Sequence, residues 1–344
     1  MNFNSTQQQM ASALTFREKI AGYRKRKWIT PKIEEALLGF HDTYCASLEK
    51  HNMPVEKYEP IFDTYLELVK EHLEKPFVFE PYHKKVCHPF DFYAFGVNFL
   101  KPLVDEKKST VSGKENLQEI AKHLEKKHNV IFFANHQIEA DPQALSVLLD
   151  DLYPEIASNM IFVAGERVLT DPLAVPFSMG RNLLCIYSKR YIDTPPEKKT
   201  EKQLHNKRTM ELMSTLLKEG GKCIYVAPSG GRDRANAEGI VEVAHLDPQN
   251  ITMFYLMAQK AAHPTFFYPM ALSTYDLLPP PDTIQVELGE QRNAKRGAIH
   301  LSIGECLDME TFSGSHHTDK QARRQARADY VWKEICKNYR KIVR

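Results

Sequence analysis

The sequence contains no C-x-x-C, and its six cysteines (Cys45, Cys87, Cys185, Cys223, Cys306 and Cys336) lie far apart, the nearest two separated by 30 positions. That dispersal excludes a disulfide frame and the common zinc sites, and it fits inert thiols in a reducing compartment. His83 and His88 flank Cys87 in "HKKVCH", but the spacing matches no usual ligand pattern, so no metal is expected. Long apolar runs are missing as well. None approaches the roughly 18–20 residues that span a bilayer, so no transmembrane segment is expected. The opening "MNFNSTQQQMASALTF" carries no charged side chain, and it has neither the apolar stretch of a signal peptide nor the arginines of a transit peptide. It reads as the frayed start of a soluble protein, either bacterial or already processed. An excess of one charge is lacking too: 46 Lys and Arg against 44 Asp and Glu leave a net +2. Any attraction to acidic partners therefore comes from local patches.

What is present is a chain of 344 residues, 42% hydrophobic, enough for one large domain and a smaller one. Positions 17 to 75 read as helices. Ile33, Leu37, Phe40, Tyr44 and Leu48 recur at spacings of three and four behind a Thr30-Pro31 start, and "PIFDTYLELVKEHLEKP" repeats the rhythm up to Pro76. A Pro- and aromatic-rich join follows. Beyond it, strand-like runs at 130–134, 160–164, 183–187, 223–227, 266–271, 284–288 and 299–303 mostly alternate with helical segments at 115–128, 142–151, 201–219 and 250–262. An amphipathic helix with Val331, Ile335, Tyr339 and Ile342 along one side closes the chain. The expected fold class is α/β: a mixed, largely parallel sheet covered by helices (79–344), with a small N-terminal helical-bundle domain (1–78). The arginines and lysines of the closing helix are interleaved with packing residues, which argues against nucleic-acid binding.

The chemistry gathers where strands end, the place where α/β sheets bind ligands. "NVIFFANHQIEADP" puts His136 and Asp141 in the gap between a strand and a helix. An imidazole is suited to taking a proton from a hydroxyl near neutral pH, and a carboxylate that fixes its tautomer improves it. The competing reading is a plain helix cap, Asp141 before Pro142. "CIYVAPSGGRDRAN" pairs a strand with Ser229, Gly230, Gly231, Arg232 and Arg234. The glycines let backbone approach a ligand and the arginines offer forked donors for a phosphate or carboxylate. The surrounding text is not G-x-S-x-G, so Ser229 is not read as a nucleophile. Lys189 and Arg190 in "YSKRYID", and Glu166 and Arg167 in "FVAGERVLTDP", also follow strands. Together these residues describe a site for an anionic substrate with a hydroxyl to be deprotonated.

Four blocks in this order, "NHQIEADP", "FVAGERV", "IYVAPSGGRDR" and "FYPMAL", resemble the soluble, plastid-type glycerol-3-phosphate acyltransferases, also found in some bacteria. The likeness runs from about residue 30 to the end and includes "GRNLLCIYSK". The N-H-x-x-x-x-D core is shared across glycerolipid acyltransferases, whereas "APSGGRDR" is more specific. Lysophosphatidate acyltransferases carry an E-G-T-R type block there, together with membrane segments. The resemblance implies acyl transfer from acyl carrier protein or coenzyme A to the sn-1 hydroxyl of glycerol 3-phosphate, the first step of glycerophospholipid synthesis. His136 would be the base and Asp141 its partner. Arg232 and Arg234, helped by Lys189 or Arg190, would hold the phosphate, with Arg167 and Ser229 also at the substrate. The family usually places a histidine after its basic pair, where this chain has Tyr191. No cofactor or metal is implied, because a thioester is already activated. The implied location is the plastid stroma or a bacterial cytoplasm, with transient membrane contact allowed. Phe90, Phe92, Tyr93, Phe95, Phe99, Phe177 and Met179 are candidates for the acyl groove, and Arg24 to Lys27 or the closing helix for docking acyl carrier protein. The alternatives are an acyltransferase for dihydroxyacetone phosphate or a lysophospholipid, and a non-catalytic acyl-carrier or lipid-binding protein.

Overall fold

A computed structural model describes residues 14–188, 192–281 and 289–343. Three helices come first, α1 (Phe16–Lys25), α2 (Pro31–Glu49) and α3 (Glu59–Glu74). The Thr30 hydroxyl accepts from the Ile33 amide at 3.2 Å and Pro31 takes the first helical position, so the sequence signal and the helix start coincide. Next come β1 (Tyr82–His83), α4 (Phe92–Leu100), β2 (Thr110–Ser112), α5 (Lys114–Glu125) and β3 (Asn129–Ala134). They are followed by α6 (Asp141–Leu149), α7 (Pro154–Asn159), β4 (Ile161–Gly165), α8 (Glu166–Thr170), α9 (Val175–Met179) and β5 (Asn182–Ile186). The remainder is α10 (Lys199–Glu219), β6 (Cys223–Val226), the short strands β7 (Arg234–Ala235) and β8 (Val241–Glu242), α11 (Pro248–Gln259), β9 (Thr265–Ser273), β10 (His300–Ile303) and α12 (Lys320–Ile342).

The main sheet runs β1-β5-β4-β6-β3-β9-β10-β2. Its five central strands, from β5 to β9, are all parallel, while β1 and β10 pair antiparallel to their inner neighbours. The mixed, largely parallel α/β sheet read from the sequence is therefore observed. Alternate residues of β3 face opposite sides. Val130, Phe132 and Ala134 join one core cluster, and Ile131 and Phe133 the other. The N-terminal helices pack on the first side, where Phe40, Tyr44 and Tyr65 meet Phe99 of α4 at ring separations of 5.4–5.5 Å. The Tyr44 and Tyr65 hydroxyls donate to the carbonyls of Phe99 and Leu173 at 2.8 and 2.7 Å.

Two local expectations meet a different outcome. The aromatic join holds the helix α4, capped by the Asp91 carboxylate on the Ala94 amide at 2.9 Å. Six of its nine residues are buried, so no polar face marks it in the sequence. Asp141 is the first residue of α6, not its cap; Ala140 holds that position. The run at 284–288 lies outside the described residues.

Candidate active site

The parallel strands deliver β3, β4 and β6 to one edge, and the loop from Ala134 to Asp141 leaves the sheet there. The Asp141 carboxylate turns back over this loop. Its Oδ2 accepts from His136 Nδ1 at 2.8 Å, the Gln137 amide at 2.8 Å and the Ile138 amide at 3.3 Å, and its Oδ1 accepts from the Thr274 hydroxyl at 2.6 Å. With so many donors converging, the carboxylate acts as acceptor, so Nδ1 carries a hydrogen and Nε2 lies on the far side of the ring. The Asp141 side chain is 1% exposed and the His136 side chain 31%. A shielded carboxylate thus orients a reachable imidazole.

A second buried layer fixes the loop. Asp233, fully buried, accepts from Asn135 Nδ2 at 2.8 Å, Gln137 Nε2 at 3.3 Å and the Ala244 amide at 3.0 Å, while its own amide donates to the His136 carbonyl. Burial pushes its carboxyl up to about 6, against the pull of those donors. Gln137 also donates its Nε2 to the Tyr339 hydroxyl at 3.0 Å, and its side-chain Oε1 accepts from the Thr274 and Tyr275 amides. The loop is thereby tied to β6, to the end of β9 and to α12.

The cations predicted from the sequence come to the same edge, but they meet carboxylates that the sequence reading had not singled out. Arg232 gives NH2 to both Glu290 oxygens at 2.7 and 2.9 Å, and Arg167 reaches the same carboxylate at 3.3 Å. Arg234 donates to the Pro281 carbonyl. The Ser229 hydroxyl bonds the Gly231 carbonyl at 2.9 Å, closing a turn in which Gly230 takes φ 67°. Lys189 and Arg190, with Tyr191, lie outside the described residues. Beneath these groups Arg292, 4% exposed, binds Glu139 and lies 3.6 Å from Asp171. Burial opposes its charge, yet the Glu139 and Asp171 carboxylates outweigh it and hold the guanidinium above its ordinary value. Asp171 also accepts from the Gly289 amide at 3.0 Å. His83 gives its ring to the Met179 carbonyl at 3.1 Å and, among the described residues, shares no ligand cluster with Cys87 or His88.

His136 and Asp141 form one end of an apolar cavity with about 1060 Å³ of atom-free space, open mouth included. Phe162, Leu183 and Tyr225 line it from the sheet, and Phe99 and Phe177 from the helices above. Of the aromatic set expected for an acyl groove, Phe99 and Phe177 reach the cavity wall, whereas Phe95 stacks behind Phe177 at 5.4 Å.

Fold and site together define an α/β protein that presents a histidine–aspartate pair at the carboxyl edge of its sheet, over an apolar cavity and beside a set of arginines. A model of a family described as Acyltransferase matches residues 108–302. The chain is 40% identical over 252 residues to glycerol-3-phosphate acyltransferase ATS11, chloroplastic, of Cucurbita moschata, covering 73% of this chain and 56% of that one. It is 37% identical over 268 residues to the chloroplastic glycerol-3-phosphate acyltransferase of Arabidopsis thaliana, covering 78% and 58%. Against the chloroplastic glycerol-3-phosphate acyltransferase of Carthamus tinctorius it is 32% identical over 318 residues, covering 91% and 68%. The chain thus belongs to the acyltransferase family. It spans little more than half the length of the first two relatives. Among the described residues no helix is long and apolar enough to cross a membrane.

Proposed function

We propose that the protein transfers an acyl group from a thioester of acyl carrier protein or coenzyme A to the sn-1 hydroxyl of glycerol 3-phosphate. The observation that carries this reading is the Asp141-oriented His136 at the mouth of an apolar cavity, beside Arg232, Arg234 and Arg167. The names of the three relatives support the acceptor, and their chloroplastic location supports a plastid setting.

The acyl chain lies in the cavity and its thioester carbonyl sits near His136. The acceptor's phosphate binds among the arginines. The contacts of Arg232 with Glu290 use NH2 only, which leaves further N–H groups of a five-donor fork for a phosphate. Lys189 and Arg190, which the family resemblance puts at the phosphate, would add positive charge. His136 Nε2 then takes the hydroxyl proton as that oxygen attacks the carbonyl carbon. Collapse of the tetrahedral intermediate breaks the C–S bond, and the imidazolium returns its proton to the departing thiolate. Asp141 stabilises the imidazolium without itself taking the proton.

The test is thiol release from an acyl thioester with and without glycerol 3-phosphate. Release is expected to require the acceptor and to fall by about 10²–10⁴-fold in His136→Ala. No acceptor-dependent release, or full activity in the variant, would reduce the pair to a structural turn.

A further inference from the structure

The cavity does not end in apolar side chains. β4 and β5 pair in parallel from Ile161↔Asn182 to Gly165↔Ile186, and Gly165 lies at the edge that carries His136. Descending the face of the sheet, the cavity passes Phe162 and Leu183 and meets Arg181, which shares Leu183's side of the chain by the two-residue period of a strand. The five steps from Gly165 to the level of Arg181 amount to about 16 Å of strand rise. Arg181 is 3% exposed and lines the cavity. Its NH1 donates to the Ser146 hydroxyl at 2.5 Å and its guanidinium lies 4.7 Å from the centre of the Tyr93 ring. Its Nε and NH2 have no hydrogen-bond partner among the described residues. Behind it the Tyr93 hydroxyl donates to Asp150 at 2.8 Å, so the floor is a polar assembly linking α4, α6 and the start of β5. Burial lowers the guanidinium to about 10, which leaves it charged at neutral pH.

We infer that Arg181 is the length stop of the acyl pocket, a buried cation at the end opposite His136 that sets the longest chain the protein accepts. The inference rests on the acyltransfer reading. The guanidinium is fixed by Ser146 and the Tyr93 ring, with its Nε and NH2 already out of contact with water, so it does not swing aside for a longer chain, and further methylenes would have to be forced against a buried cation that gives them no room. A chain that stops short of the guanidinium meets no such penalty. Discrimination therefore falls on the last few methylenes, far from the reacting carbonyl.

The measurement is kcat/KM for myristoyl, palmitoyl, stearoyl and arachidoyl thioesters with glycerol 3-phosphate, using wild type, Arg181→Lys and Arg181→Met. Arg181→Met removes the charge at similar length, and the stearoyl-to-palmitoyl ratio should rise about fivefold or more, as expected when added methylenes become buried in place of being refused. Arg181→Lys keeps the cation and should keep the wild-type profile. Should Arg181→Met fail to fold, Arg181→Gln, which can still donate to Ser146 without a charge, carries the same expectation. A merely structural arginine would lower all four rates together and leave their ratios unchanged, and that result overturns the inference while leaving acyl transfer intact. A wild type that transfers none of the four chains would overturn the acyltransfer reading, and the inference with it.

Discussion

Asp141 shows how one residue can satisfy two readings of a sequence until the side chain is placed. An aspartate before proline has the composition of a helix cap, but here four donors from outside the helix gather on its carboxylate, His136 Nδ1 among them. Asp141→Asn would set an amide against those donors and favour the wrong imidazole tautomer. Turnover should fall by about 10³–10⁴-fold, which steady-state thiol release would measure. Arg232→Ala should raise KM for glycerol 3-phosphate more than it lowers kcat, because the phosphate is remote from the bond being made. It should also lower the Tm, since Glu290 loses the closer of its two cations. Asp233 gives a pH dependence with a definite sign. Its folded carboxyl is raised to about 6, above the ordinary value of about 3.9, so folding retains a proton that the unfolded chain releases. The stability this adds is fully present below about pH 4 and is lost as pH rises through about 6. Asp233→Asn should melt lower throughout but lose that part of the slope, a difference visible in thermal melts at closely spaced pH.

At the scale of elements, the long helices were legible because their side chains alternate between packing and solvent at the period of the backbone. The buried parallel strands β3 and β6 declared themselves as short apolar runs bounded by turn residues. The helix α4 did not, because it is enclosed on nearly all sides and shows no polar stripe. The site was legible only where partners lie close in sequence, as His136 and Asp141 do. Arg292 and Glu139 are separated by 153 positions and Glu290 and Arg232 by 58, and nothing in either local text says that they meet. Arg181 sits in "GRNLLC", where a charge beside a strand reads as an exposed end. Its burial depends on α4 and α6 closing over it. The link between Gln137 and Tyr339 is of the same kind. Tyr339→Phe should leave the fold intact and cost about 1 kcal/mol, read as a lower urea midpoint, together with a looser active-site loop and reduced turnover.

For the whole molecule, the N-terminal helices are part of the same core as the sheet. Phe99 of α4 packs against Phe40, Tyr44, Phe62 and Tyr65, and all four belong to helices that the sequence alone assigns to a separate unit ending at residue 78. A chain beginning at residue 79 would expose this aromatic face, so it should aggregate or bind a hydrophobic dye, and the full chain should unfold in one transition. The cavity explains why. Its roof is formed by α4 and α9, which rest on these helices, so the helical region shapes the pocket from behind although it contributes little of the lining.

The contact between Gln137 and Tyr339 spans 202 positions, and it bears on the order of events during synthesis. A ribosome releases the chain from its N-terminus, and early segments begin to fold while later ones are still being made. The loop holding His136 is made 202 positions ahead of Tyr339, one of its anchors. The His136 imidazole therefore reaches its final setting only once Tyr339 has been made, and a ribosome stalled before that residue would carry a formed sheet edge whose loop is not yet locked in place.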